Sequence, residues 1–134
     1  MSTSRKILKV LSILFCIGGV AEIALGALGF AAGDSVTGSA VDTSFFGACM
    51  IAFGVVDIFA GVCGIRAANN PVKAGGAFVW GIIRVVCSVI GLGLSLPVLG
   101  GVGVGAGTVI ALVVDVAFFA LACVAKKEGK ERLQ

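Results

Sequence analysis

The sequence contains no histidine and no tyrosine, and only 13% of its 134 residues are charged. The absence of histidine removes the most common metal ligand and general base. Soluble proteins typically carry about 25% charged residues. With 59% hydrophobic residues and a mean hydropathy of +1.17, the chain has too few charges to give several helices a polar face. We therefore expect a membrane protein.

Motifs for catalysis, cofactors or metals are also missing. The five cysteines lie within apolar runs without a Cys-x-x-Cys pair, so neither a disulfide framework nor a zinc site is expected. Lipidation of Cys123, three residues before Lys126, is the alternative to a role in apolar packing. The glycine-rich run at 100–107 lacks the Lys and Ser/Thr of a phosphate-binding loop. We expect no enzyme, no metal site and no cofactor.

Four apolar stretches are long enough for transmembrane helices, each of which needs about 20 residues. They cover about 10–32, 45–65, 74–96 and 102–124. They leave no room for a soluble domain, so residues 1–134 are predicted to form one all-α domain, a four-helix bundle in antiparallel up-down-up-down order. A cleaved signal peptide is the alternative for the first stretch, but its length and Glu22 favour an uncleaved helix.

Basic residues occur on only one side of the predicted spans. Nine lie before the first span, between the second and third, or after the fourth: Arg5, Lys6, Lys9, Arg66, Lys73, Lys126, Lys127, Lys130 and Arg132. The two other connections contain none. Because Lys and Arg accumulate on the cytoplasmic side, both termini are predicted to be cytoplasmic, in a plasma or inner membrane. The basic residues form no face with interleaved aromatics, so nucleic acid is not an expected partner.

One ionisable residue lies near the middle of each predicted span: Glu22, Asp57, Arg84 and Asp115. They are 8 to 12 residues from the inner ends of the spans, which places them within about 6 Å of one depth. Charges at the bilayer centre are costly and usually pair or face water. We expect one buried polar layer, in which at least one carboxylate is protonated, hydrogen-bonded to a neighbour or balanced by a cation.

The first two spans share a pattern around their acidic residues. Residues 19–29 and 54–64 align without gaps as G-V-x-acid-I-x-x-G-x-x-G. Gly26 and Gly61 occupy matching positions four residues after the acid, on the same helix face. Small residues allow membrane helices to approach closely. We therefore predict that Gly26 and Gly61 are helix-packing positions that face the bundle interior.

The Ala-Glu-Ile-x-x-Gly stretch around Glu22, the four spans and Trp80 are similar to features of the small multidrug resistance exporters. That resemblance covers about ten residues and implies a membrane glutamate that binds protons and cationic drugs in turn. The acid at Asp57, together with Arg84 and Asp115, departs from the exporter pattern, as does the absence of tyrosine. The resemblance therefore does not identify the chain as a member.

Two functions remain open from the sequence. The first is a structural or interaction protein of the membrane, in which the polar layer fixes helix pairing. The alternative is a proton- or cation-coupled small transporter or channel subunit that uses one intramembrane carboxylate. The expected partner is the lipid bilayer, with further copies of the chain or other membrane proteins as open alternatives.

Overall fold

Four long α-helices make up almost all of the chain that the structure describes. The computed structural model describes residues 2–31, 43–98 and 106–131. The helices are α1 (Thr3–Ala31), α2 (Thr43–Asn69), α3 (Ala74–Val98) and α4 (Ala106–Glu131), with a short 3-10 turn at Pro71–Lys73 before α3. The described residues contain no strand. The predicted all-α, four-helix fold is confirmed.

All four helices are long and apolar enough to cross a membrane. They contain 29, 27, 25 and 26 residues. At about 1.5 Å per residue, even a helix of 25 residues extends beyond the hydrocarbon core, which is about 30 Å thick. By length and composition, the chain is a small multi-pass membrane protein.

The helices extend beyond the predicted spans at the ends near the chain termini. α1 begins at Thr3 rather than near residue 10, and α4 continues to Glu131 rather than ending near residue 124. Lysine, arginine and glutamate favour helical backbone in water, so these helices continue past their apolar segments. The predicted boundaries at 32 and 102 lie outside the described residues.

The contacts of Gly26 and Gly61 show how closely α1 packs on α2, the pair of helices with the most extensive contact. A Cβ atom on Gly26 would lie 2.7 Å from the carbonyl oxygen of Gly47. One on Gly61 would lie 2.6 Å from the carbonyl oxygen of Ser12. Later residues of α1 thus meet earlier residues of α2, which is the register of an antiparallel pair. At both glycines the backbones are too close for any side chain.

Hydrogen bonds also join the start of α1 to the C-terminal ends of α2 and α4. Arg5 is only 6% exposed, and its guanidinium donates to the carbonyl oxygens of Ala68 and Asn69, both at 2.9 Å. These carbonyls belong to the last turn of α2, where helical partners are missing. Ser2 donates to Glu128 of α4 at 2.9 Å. Arg5 therefore caps α2, a role that the sequence did not indicate.

The 3-10 turn before α3 has a side-chain cap at its start. The Asn70 side chain accepts a hydrogen bond from the backbone N–H of Val72 at 3.2 Å, and Pro71 occupies the first position of the turn. Proline suits this position because its missing N–H would have had no helical partner. The end of α4 packs on the same turn, with Gly129 against Pro71.

Among the residues whose burial the structure describes, the buried apolar core lies in one half of the bundle, which we call the terminal half. It comprises α1 before Glu22, α2 after Asp57, α3 before Arg84 and α4 after Asp115; the other half is the loop half. The core residues are Leu8, Phe15, Ala60, Ala67, Ala68, Ala74, Ala77, Phe118, Ala122 and Ala125. Within it, Phe15 and Phe118 pack on each other with ring centroids 5.0 Å apart.

Candidate functional site: a charged cluster beside a cavity

Arg84 of α3 lies between two aspartates on neighbouring helices. Its Nη2 atom is 2.6 Å from Oδ1 of Asp115 on α4, and its Nε–H donates to the same oxygen at 2.7 Å. Its Nη1 atom forms an ion pair with Oδ1 of Asp57 on α2. Arginine suits this bridge because its planar guanidinium presents donors in several directions. One side chain thus joins three helices, and we call Asp57, Arg84 and Asp115 the charged cluster.

The charged cluster is shielded from solvent. Asp115 is only 1% exposed, and the side chain of Arg84 is 11% exposed. Ser88, one turn after Arg84, donates to Oδ2 of Asp115, so both oxygens of that carboxylate are engaged. A buried charge is tolerated only when it is paired and hydrogen-bonded. The contacts of Asp115 meet both conditions.

Phe15 adds a contact from α1 to the charged cluster. The Arg84 guanidinium carbon lies 3.8 Å from the centroid of the Phe15 ring, within the range of a cation–π interaction. The same ring packs on Phe118. Phe15 is itself a core residue, so it connects the charged cluster to the core of the terminal half.

Glu22 lies beside the charged cluster but does not join it. Its Oε2 atom is buried and has no hydrogen-bond partner among the described residues. The predicted layer of four residues therefore divides into three that pair and one that does not. The physical reason lies in Arg84, which forms its ion pairs with the two aspartates rather than with Glu22.

A cavity of about 200 Å³ is lined by Glu22 of α1 together with residues of α2, α3 and α4. Glu22, Asp57, Arg84 and Asp115 all contribute to its wall. The rest of its lining comes from residues such as Phe53, Cys87, Gly91 and Ala111. These additional residues all lie in the loop half. The cavity thus ends at the charged cluster and extends away from the chain termini.

The sequence analysis named the four ionisable residues that line the cavity. It did not indicate that Phe15 would contact Arg84. Ser88 was detectable in principle, because it lies four residues after Arg84 on the same helix face. Gly26 and Gly61 lie at the contact of α1 with α2, outside the cavity wall. Within residues 2–31, 43–98 and 106–131, no three His, Cys, Asp or Glu side chains are grouped as metal ligands.

Comparison with known proteins adds no relative. No family model matches the chain, and no curated protein or solved structure is significantly similar to it. The ten-residue resemblance around Glu22 is therefore not accompanied by a family match.

Proposed function

We propose that the chain is a structural or interaction protein of a cell membrane, without catalytic activity, in which the charged cluster acts as a clasp. The observation that supports this role most strongly is the position of Arg84, paired at once with Asp57 of α2 and Asp115 of α4. Breaking a buried ion pair typically costs about 3 to 5 kcal/mol. Such a clasp holds α3 and α4 in a fixed register against α2.

The packing of the bundle explains why a clasp is useful. α1 and α2 meet over close glycine contacts, whereas α3 packs less extensively on its two neighbours. In a bilayer, apolar contacts alone give little preference for a helix over lipid. A charged side chain at mid-membrane is costly unless it finds its partners. The Arg84 pairs therefore select one arrangement of α2, α3 and α4.

The proposed orientation has both termini in the cytoplasm. It is supported by the nine basic residues on the terminal side of the predicted spans. One of the nine, Arg5, is buried against the end of α2, where its guanidinium also caps the helix. We propose further copies of the chain or other membrane proteins as the partners of its lipid-facing surface, where side chains such as Ile17 and Val113 are exposed.

A second candidate function rests on Glu22. Its buried Oε2 atom has no partner among the described residues, and it borders a cavity that reaches the charged cluster from one side. These features suit a proton or cation site in a small transporter or channel subunit. In that case the two aspartates hold Arg84, and Glu22 is the carboxylate that exchanges its proton or cation.

Proton and cation flux into liposomes separates the two functions. The clasp role predicts no flux above that of protein-free liposomes, for the wild type and for Glu22→Gln alike. The transport role predicts flux that is lost in Glu22→Gln while the variant still folds. Glu128→Gln is the matched control, because it removes one carboxylate that lies outside the cavity and contacts Ser2. Flux lost only in Glu22→Gln would overturn the structural role.

A further inference from the structure

A groove between α3 and α4 lies at the terminal end of the bundle. It has a volume of about 290 Å³ and is lined by Phe78, Cys123, Lys126, Lys127 and Lys130. Its lining, as far as the structure describes it, contains three lysines and no carboxylate. None of these lysines forms an ion pair with a described residue. The groove is therefore a concentrated positive surface on an apolar floor.

The groove lies where the apolar part of α4 ends. The sequence of α4 is apolar through Val124 and Ala125, and its charges begin at Lys126. Phe78 contacts Phe119 with ring centroids 5.5 Å apart, which forms the apolar floor. In a membrane-spanning bundle, this boundary lies at the depth of the lipid headgroups. An apolar floor below three ammonium groups matches the two chemical parts of a phospholipid.

The lysines are arranged to act together. Lys126 and Lys130 are one helical turn apart, and Lys127 and Lys130 are three residues apart. The Lys126 ammonium lies 3.8 Å from the centroid of the Phe78 ring, so this side chain is held over the groove. Basic pockets between transmembrane helices on the cytoplasmic side are suited to anionic headgroups.

We propose that this groove binds one anionic glycerophospholipid, with its phosphate at the three lysines and an acyl chain along Phe78 and Cys123. The site requires a bilayer but not the clasp or transport role of the charged cluster. If the protein does not bind this lipid, the outcome of the flux experiment is unaffected. Likewise, neither outcome of the flux experiment decides whether the lipid binds.

The thermal stability of the purified protein in detergent tests the site, with phosphatidylglycerol as the probe and phosphatidylcholine of the same acyl chains as the neutral control. We expect phosphatidylglycerol to raise the melting temperature and phosphatidylcholine not to. Each lysine replaced by glutamine should weaken the apparent affinity about fivefold, the effect of one basic residue at an anionic membrane surface. The proposal would be overturned if the two lipids changed the melting temperature equally. It would also be overturned if inorganic phosphate raised the melting temperature as much as phosphatidylglycerol does.

A matched triple variant separates a local site from general attraction between charges. The groove variant is Lys126→Gln, Lys127→Gln and Lys130→Gln. The control variant is Lys6→Gln, Lys9→Gln and Arg66→Gln, which removes the same charge from α1 and α2 at the same end of the bundle. The proposal predicts that only the groove variant loses the response to phosphatidylglycerol. Equal loss in both variants contradicts it.

Reactivity of Cys123 provides a measurement that does not depend on a lysine variant. In a chain carrying Cys16→Ala, Cys49→Ala, Cys63→Ala and Cys87→Ala, the remaining thiol lies in the groove. Bound phosphatidylglycerol should slow its alkylation severalfold, whereas phosphatidylcholine should not. Unchanged alkylation at lipid concentrations that raise the melting temperature would place the lipid elsewhere and overturn the proposal.

Discussion

Gly19 and Gly54 lie directly opposite each other where α1 crosses α2. A Cβ atom on Gly19 would lie 2.5 Å from the carbonyl oxygen of Gly54, and one on Gly54 would lie 2.6 Å from that of Gly19. The two glycines hold the same place in the repeated sequence pattern. Their contacts with Ile58 and Ile23 also correspond. The repeat thus packs against itself as an inverted pair.

This close approach predicts opposite results at two adjacent glycines. Gly19→Ala should destabilise the protein by about 1 to 3 kcal/mol, because the added methyl group has no space against α2. Gly18→Ala meets no atom within 4 Å and should be neutral or stabilising, since alanine favours helical backbone over glycine. Unfolding in mixed detergent micelles measures both. Equal destabilisation at the two positions would contradict the packing described.

Gly26 and Gly61 are expected to behave like Gly19. Gly26→Leu and Gly61→Leu should force α1 and α2 apart, because the nearest atoms include backbone carbonyl oxygens that cannot move freely. Gly18→Leu is the control for side-chain size. A detergent melting curve that shifts equally for all three variants would count against the close contact.

The topology predicts where three introduced cysteines react. With the native cysteines replaced by alanine, Gly38→Cys should react with a membrane-impermeant thiol reagent from outside intact cells. Asn70→Cys and Lys130→Cys should react only after the membrane is made permeable, because basic residues surround both positions. Labelling of Asn70→Cys from outside would reverse the proposed orientation.

The sequence predicted much of this architecture and less of the site. Long apolar runs and the nearly equal depths of Glu22, Asp57, Arg84 and Asp115 are properties of each helix alone, so they are readable from residue spacing. The split between Glu22 and the charged cluster depends on the rotation of α1 and on which carboxylates Arg84 reaches. Those are properties of tertiary packing, which one sequence does not encode in its periodicity.

Arg5 illustrates a different kind of omission. In the sequence it is one of several basic residues before an apolar run, and its neighbours Lys6 and Lys9 have the same character. In the structure it is buried and caps the last turn of α2, whereas Lys6 is exposed. What distinguishes Arg5 is that the carbonyl oxygens of Ala68 and Asn69 lie within its reach, and their position depends on the fold.

The cap formed by Arg5 predicts a specific loss of stability. Arg5→Ala should destabilise the protein by about 1.5 to 3 kcal/mol, the usual range for a hydrogen bond to a charged group. Lys6→Ala removes the same charge from an exposed side chain and should change the unfolding free energy by less than about 0.5 kcal/mol. Chemical unfolding in detergent compares the two. Similar losses would assign the effect to charge rather than to capping.

The one-sided cavity predicts a difference between two native cysteines. Cys87 lines the cavity in the loop half, whereas Cys63 packs on the core of the terminal half. The comparison uses two variants, one that keeps only Cys87 and one that keeps only Cys63. A small membrane-impermeant thiol reagent added from outside should react with Cys87 at least tenfold faster than with Cys63. Equal protection of both thiols would show that water does not reach the charged cluster from that side.

Arg84 provides the most direct test of the clasp. Arg84→Leu leaves Asp57 and Asp115 buried without their shared partner, so it should cost about 3 to 5 kcal/mol. It should cost more than Glu22→Gln, Asp57→Asn or Asp115→Asn alone, because Arg84 retains one aspartate after either aspartate is lost.

The decisive measurement is the unfolding free energy in detergent of Arg84→Leu, Asp115→Asn and the double variant. The clasp predicts that the double variant recovers much of the stability lost in Arg84→Leu, so that the two effects are strongly non-additive. Wild-type stability of Arg84→Leu, or simple addition of the two losses, would contradict it.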